Sequence, residues 1–424
     1  MDKRMSIETL AVHGVYKKDN TGATNPPIYL SNAYEFKDTT HAADLFDLNQ
    51  SGYIYSRLNN PTTSVLEENI SALENGVSAV ACASGQFAEF MTIISLAKQG
   101  DNIVASNLLY GGTHTLFTSQ LSRFGIKVNF ANPENIEDFE KIIDNNTKAI
   151  YIESIANPQG VVPDFEKFAK LSQKYHIPLV VDNTCATPYL LKPIEYGANI
   201  VLHSTTKFLA GHGNVLGGIV VDGGNFNWEK SGKFSELTEP DENYHGLVFT
   251  KHFGSSAFAY KMRVVAMRDI GGTASPFNSF LINQGLGTLH VRMERHVENA
   301  KKLAEYLSNH KNVSWVKYNG LENDINHNMA KKYLKLHGSS LFTFGVKGGY
   351  EKSKKFIEKV SFPIHAANIG DIKTIVTHPA STTHRQLQEK ELEKTGITND
   401  LIRVSVGIEN INDIIEDFNN ALEN

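Results

Sequence analysis

The sequence predicts an α/β protein of two unequal parts: a large unit on a mostly parallel sheet and a smaller C-terminal α/β unit. Two observations predict this. Between residues 79 and 221, seven short apolar runs alternate with helix-length segments, the pattern of strands buried on both faces and joined by crossover helices. The rhythm then breaks over residues 225–275, and a long amphipathic stretch with four more short apolar runs follows. At 424 residues the chain has room for two or three domains of about 150 residues.

Residues 1–60 come first and carry little periodic apolar pattern. They hold Asn25-Pro26-Pro27 and an aromatic, Gly/Asn-rich stretch from Ser51 to Pro61. Such a segment cannot bury a core of its own and is expected to be an arm that docks elsewhere. A helix follows on Leu66, Ile70 and Leu73. The strand-like runs are Ala79–Ala83, Asn102–Ala105, Ile126–Phe130, Ala149–Ile152, Leu179–Val181, Ile200–Leu202 and Gly218–Val221, with Asp164–Tyr175 a helix between two of them. Residues 61–275 are thus expected as the large domain, with 225–275 loop-like. One long helix is expected to carry the stripe Leu286, Leu289, Met293, Val297, Ala300, Ala304 and Leu307. Runs at Val313–Val316, Leu341–Val346, Thr374–Thr377 and Ile402–Val406, then a helix near 412–422, complete the expected small domain, residues 276–424, with an antiparallel sheet.

Composition narrows the function. Lys and Arg total 41 against 46 Asp and Glu, a net charge of −5, which is no footprint for nucleic acid. Hydrophobic content of 41% and charged content of 21% are ordinary globular values and exclude wholesale disorder. The two cysteines, Cys82 and Cys185, exclude a disulfide scaffold and fit a reducing compartment; both are expected to be small buried apolar residues. The N-terminal residues lead into no apolar segment of signal-peptide type, and no run nears the roughly 18 apolar residues of a membrane span. A cytoplasmic protein is expected.

Ligands of such sheets bind at the carboxyl ends of the strands, and three motifs fall there. The strand Leu179-Val180-Val181 ends in Asp182-Asn183-Thr184. A carboxylate there suits a cationic ring nitrogen, because a buried Asp needs a positive partner; strand-ending Asp residues also cap turns. The strand Ile200-Val201-Leu202 runs into His203-Ser204-Thr205-Thr206-Lys207. A lysine between a buried strand and a Gly-rich turn can present a neutral amine to an aldehyde, with Ser204 and Thr206 donating to a phosphate; it can also be a loop lysine. Ala83-Ser84-Gly85-Gln86 passes from strand to helix and offers N–H groups to an anion. Together these are the requirements of pyridoxal phosphate. No G-x-G-x-x-G follows the first strand, so a nucleotide-dependent oxidoreductase lacks support. Neither His203 nor His212 has metal-ligand company, and no metal is expected. Arg403 alternates with Ile402 and Val404 and so points off the apolar face, where its fork suits a carboxylate.

With these residues stand Tyr55-Ser56-Arg57-Leu58-Asn59-Asn60-Pro61-Thr62, Leu109-Tyr110-Gly111 and Arg403-Val404-Ser405-Val406-Gly407-Ile408-Glu409. Taken in order, the segments resemble the Cys/Met-metabolism family of pyridoxal-phosphate enzymes, of the aspartate-aminotransferase fold type. The resemblance implies that Lys207 holds the cofactor covalently and that Asp182 pairs with its ring nitrogen, with Thr184 alongside. It implies that Tyr110 stacks on the ring and assists acid/base chemistry. Gly85, Gln86, Ser204 and Thr206 would bind the phosphate. Tyr55 and Arg57 would reach a neighbouring subunit's site, which implies a homo-oligomer, a tetramer of two active dimers. Arg403 would anchor the substrate α-carboxylate, with Asn157 near it and Tyr55 also beside the substrate. Within the family, Gly112 stands where methionine γ-lyases carry cysteine. The segments Thr238-Glu239-Pro240-Asp241 through Tyr244-His245-Gly246-Leu247, Ser275–Asn278, Arg292–Ala300 and Thr377–His384 resemble the O-acetylhomoserine sulfhydrylase branch. The implied reaction is γ-replacement, O-acetylhomoserine and sulfide giving homocysteine and acetate. Cystathionine γ-synthase and methionine γ-lyase activities share the cofactor residues and are the alternatives.

Overall fold

The computed structural model describes residues 5–18, 20–382 and 397–424. The large sheet has seven strands: β1 (Ser78–Cys82), β2 (Asn102–Ser106), β3 (Lys127–Ala131), β4 (Thr147–Glu153), β5 (Leu179–Asp182), β6 (Ile200–His203) and β7 (Gly218–Asp222). Their order is β1-β7-β6-β5-β4-β2-β3. The pairs from β6 through to β3 are parallel, and β7 is antiparallel to both its neighbours. Alternate residues of one strand serve opposite cores. Val104, Val181 and Val221 join Leu66, Ile70 and Leu73 of the helix Pro61–Glu74 on one face. Ile103, Val180 and Val220 join Met91 and Ile93 of the helix Gly85–Leu96 on the other. Burial on both faces explains why these strands read as continuous apolar runs.

Residues 225–275 are not the loop expected. They fold into short helices, among them Trp228–Ser231, Ser235–Thr238, Phe249–Phe253 and Ala257–Lys261, followed by a π-helical turn at Met262–Met267. Trp228, Phe234, Phe249 and Phe258 cover the same sheet face as Val180 and Val220, with Trp228 stacked on Phe258 at 5.6 Å between centroids. Each aromatic ring buries a large area, so a few of them cover the sheet with no helical stripe for the sequence to display.

The long stripe is likewise two helices, Pro276–Leu286 and Leu289–Ser308, parted at Gly287-Thr288. The Arg292 guanidinium, buried in the second helix, donates to the carbonyls of Phe208 at 2.6 Å and Gly285 at 2.7 Å, which ties the break to the segment after Lys207. Leu289, Met293 and Val297 pack in the large unit's core, whereas Ala300, Leu303 and Leu307 pack beneath the small sheet. That sheet comprises β8 (Val313–Lys317), β9 (Leu341–Val346), β10 (Ile364–His365), β11 (Ile375–Thr377) and β12 (Leu401–Ser405), in the order β10-β11-β12-β9-β8. It is antiparallel except for the β10–β11 pair. At two residues, β10 is too short to leave a pattern in the sequence. The closing helix is Ile411–Glu423.

Within residues 5–60, Leu45 is the one fully buried hydrophobic side chain among the described residues, and Leu30 is 76% exposed. Among the described residues no helix is long and apolar enough to cross a membrane.

Candidate active site

The strands β4, β5 and β6 end side by side in Glu153, Asp182 and His203. Their carboxyl ends, the N-terminus of helix Gly85–Leu96 and part of the small unit enclose a cavity of about 200 Å³. Gly85, Gln86, Tyr110, Asn157, Asp182, Thr184, Ser204, Thr206, Lys207 and Arg403 all line it, so the fold gathers these sequence-predicted residues in one cleft.

Lys207 follows β6 in a turn in which its N–H donates to the Ser204 carbonyl at 3.2 Å. Its Nζ donates to Asn368 Oδ1 at 2.5 Å. Burial, reinforced by the charge of Arg403, holds the amine below the ordinary lysine range, which makes its neutral, nucleophilic form easier to reach than for a solvent lysine. Asp182 is half-buried at the floor of the cleft, and desolvation raises its carboxyl; hydrogen bonds from Thr184, whose N–H lies 2.9 Å from Oδ1, oppose the rise. A carboxyl so placed calls for a cation. Thr184 Oγ1 accepts the Ser204 N–H at 2.8 Å and locks the two strand ends together.

Ser84 caps its helix by accepting the Phe87 N–H at 3.1 Å. A Cβ on Gly85 would lie 2.6 Å from Ser204 Cβ, so only glycine lets the helix start approach the β6 turn. Thr206 Oγ1 accepts the Gly217 N–H at 3.0 Å. Tyr110, 49% exposed, lies beside Gly112, where a Cβ would come within 2.5 Å of its ring.

Arg403 sits in the middle of β12, opposite Thr377 and Thr343, and is only 8% exposed. Its Nη2 donates to the Asn368 carbonyl at 3.0 Å, and its Nη1 to Asn157 Oδ1 at 3.4 Å. Its Nε is buried without a hydrogen-bond partner among the described residues. It points off the apolar face, into the cleft rather than into solvent.

Tyr55 and Arg57 do not line the cleft within one chain. Arg57 lies over the Tyr55 ring at 5.4 Å and donates to the Arg268 carbonyl. Of the segments quoted for the sulfhydrylase branch, Thr383 and His384 lie outside the described residues. Cys82 and Cys185 are both buried and unpaired, and Cys185 lines the cleft.

Among the polar lining residues, the sequence reading missed Asn368, Glu89 and Glu153. Burial, with the charge of Asp182 nearby, pushes Glu89 and Glu153 well above the usual carboxylate range. Glu153 ends an apolar strand as Asp182 does, and that signal could have found it. Asn368 lies in a loop and leaves none.

The family model for Cys/Met metabolism PLP-dependent enzymes matches residues 8–423. A homocysteine synthase of Schizosaccharomyces pombe is 49% identical over 98% of this chain and 98% of its own. An O-acetyl-L-homoserine sulfhydrylase of Leptospira meyeri is 46% identical over 100% and 98%. A crystal structure from Campylobacter jejuni, titled as an O-acetylhomoserine (thiol)-lyase and containing pyridoxyl-lysine monophosphate, superposes with a TM-score of 0.96 at 40% identity over 99% of this chain and 100% of its own. The two-sheet architecture is that of fold type I pyridoxal-phosphate enzymes. On these matches, the chain belongs to the Cys/Met metabolism family of PLP-dependent enzymes.

Proposed function

We propose that this enzyme makes L-homocysteine and acetate from O-acetyl-L-homoserine and sulfide, replacing the γ-substituent as in methionine biosynthesis. The observation that carries the reading is one cleft in which a half-buried lysine, a half-buried acid and a buried arginine with an unpartnered Nε converge. The names of the relatives match it.

The residues fit pyridoxal phosphate. Asp182 is a half-buried acid suited to a protonated ring nitrogen, and Gly85 leaves the helix N-terminus bare where a side chain would collide. The Gly85 and Gln86 N–H groups, with the hydroxyls of Ser204 and Thr206, would take the phosphate. Thr184 would hold Asp182 and Ser204 in register. Tyr110 would cover the ring face, and Lys207 would hold the cofactor covalently. When bound, the cofactor supplies an electron sink for charge developing on the substrate.

The chain's own residues then bind and move protons. Arg403 holds the α-carboxylate in its fork, with Asn157 beside it. Lys207 Nζ, neutral once released, removes the proton from the substrate Cα, gives it up to water, and, neutral again, removes one from Cβ. Acetate leaves Cγ, hydrosulfide adds there, and Lys207 returns the protons. The Tyr110 hydroxyl assists proton transfer near Cγ. Methanethiol in place of sulfide would give methionine by the same steps.

Tyr55 and Arg57, outside their own chain's cleft, would complete the phosphate site of a second copy, which makes the working unit a homo-oligomer, a tetramer of paired sites. Two unpaired buried thiols fit a reducing cytoplasm.

The test is the visible spectrum of the purified protein, with hydride trapping and peptide mapping. A yellow cofactor band absent from Lys207→Ala, with the label on Lys207, is the expected result. Turnover of O-acetylhomoserine with sulfide, and not of methionine or cysteine, separates this activity from γ-lyase and cystathionine-forming chemistry. A label elsewhere, or no sulfide-dependent homocysteine, sinks the reading.

A further inference from the structure

Tyr110 and Asn157 stand on different loops, one following β2 and the other following β4, yet the proposed chemistry needs both at set places in one cleft. Their main chains meet at a single side chain. Glu153, 7% exposed at the end of β4, accepts the Tyr110 N–H on Oε1 at 2.6 Å and the Asn157 N–H on Oε2 at 3.3 Å. We propose that Glu153 is a positioning residue. Its carboxyl staples the two loops, setting the Tyr110 ring at the cofactor face and the Asn157 amide against Arg403. This role rests on the reading of the cleft given above.

Three features support the assignment. Tyr110 begins the five-residue helix Gly111–Thr115 with no side-chain cap of its own, so the Glu153 carboxyl is the group that fixes the entry of that turn. Asn157 passes the constraint on, because its Oδ1 accepts from Arg403 Nη1. Both carboxyl oxygens already accept from main-chain donors, which cannot rotate away. Glu89, Asp182 and Cys185 line the same cavity, but Glu153 is the side chain that touches the main chain of both loops. A glutamine offers one acceptor oxygen, and its NH₂ meets the second N–H as a like donor. An aspartate is one methylene short of spanning both loops.

Glu153→Ala, Glu153→Gln and Glu153→Asp holoenzymes test this. The readouts are the visible circular dichroism of the bound cofactor and the steady-state constants for O-acetylhomoserine and sulfide. Loss of hydrogen bonds to a carboxyl predicts a fall in kcat/KM of about 10- to 100-fold. We expect it in all three variants, with a raised KM for O-acetylhomoserine and an altered cofactor dichroism, while the Lys207-dependent yellow band persists. Should Glu153→Ala not fold, Glu153→Gln and Glu153→Asp carry the same expectations. A dichroism spectrum identical to wild type with kcat lost in Glu153→Gln would make Glu153 a proton carrier and overturn the proposal. So would variants with wild-type constants and only a lowered melting temperature. A wild-type enzyme lacking the Lys207-dependent band overturns the reading of the cleft itself, and this role with it.

Discussion

The amine of Lys207 and the side-chain carbonyl of Asn368 meet at 2.5 Å across the junction of the two sheets. The same Asn368 accepts Arg403 Nη2 on its main-chain carbonyl at 3.0 Å. One residue of the small unit thus touches the proposed base with its side chain and the proposed carboxylate anchor with its backbone. Substitution separates the two contacts, since it deletes the first and spares the second. Asn368→Ala is expected to lower kcat about tenfold, the scale of one hydrogen bond, with KM for the amino-acid substrate little changed. Steady-state kinetics check this, and a large KM effect with an unaltered kcat would count against it.

Arg403 is a test of shape as well as charge. Its buried fork offers two nitrogens to neighbours and a third without a partner. Lysine keeps the charge but cannot bind a carboxylate bidentately. Arg403→Lys should raise KM for O-acetylhomoserine about 10- to 100-fold and leave the cofactor band in place. A KM near wild type would remove Arg403 from substrate binding.

Gly85 tests the approach of helix to strand. An alanine Cβ there meets Ser204 Cα at 2.9 Å as well as its Cβ, and backbone cannot yield as a flexible side chain can. Overpacking of this kind costs about 1–3 kcal/mol. Gly85→Ala should bind pyridoxal phosphate more weakly by equilibrium titration and melt at a lower temperature. Unchanged cofactor affinity would place the phosphate elsewhere.

His296 carries a pH dependence of stability. It is buried in the helix Leu289–Ser308, and its Nδ1–H donates to the Val406 carbonyl at 2.6 Å. Burial, with the charge of Arg292 adding to it, pushes the imidazole from the usual 6.5 down to about 4. Between those values the unfolded chain binds a proton that the folded chain does not, so stability rises with pH across the window. It is lost as pH falls from about 6.5 toward 4, by roughly 3 kcal/mol in all. Denaturant melts of wild type and His296→Asn at several pH values check this. The variant should show a flatter slope in that window, and an equal slope would show that other groups set the acid limit.

Local sequence could carry whatever is local in cause. Six of the seven strands of the large sheet were legible because burial demands a nearly unbroken apolar run, whereas the edge strand Lys127–Ala131 is only partly buried; Asp182 and Lys207 stood out as polar residues following such runs. The helices of residues 225–275 were not, because the aromatic rings that hold Trp228 and Phe258 to the sheet need no periodicity.

What the sequence determined by itself was the identity of the candidate reactive groups and the strands that bear them, since hydrophobic period and residue chemistry are properties of neighbours in the chain. The tertiary structure alone decided that Asn368 reaches Lys207, that Glu153 joins the Tyr110 and Asn157 loops, and that Arg403 turns into the cleft rather than into water. These contacts join segments separated by tens to hundreds of residues. Their energies come from burial and from hydrogen bonds, side-chain and main-chain, that form only when the chain has folded.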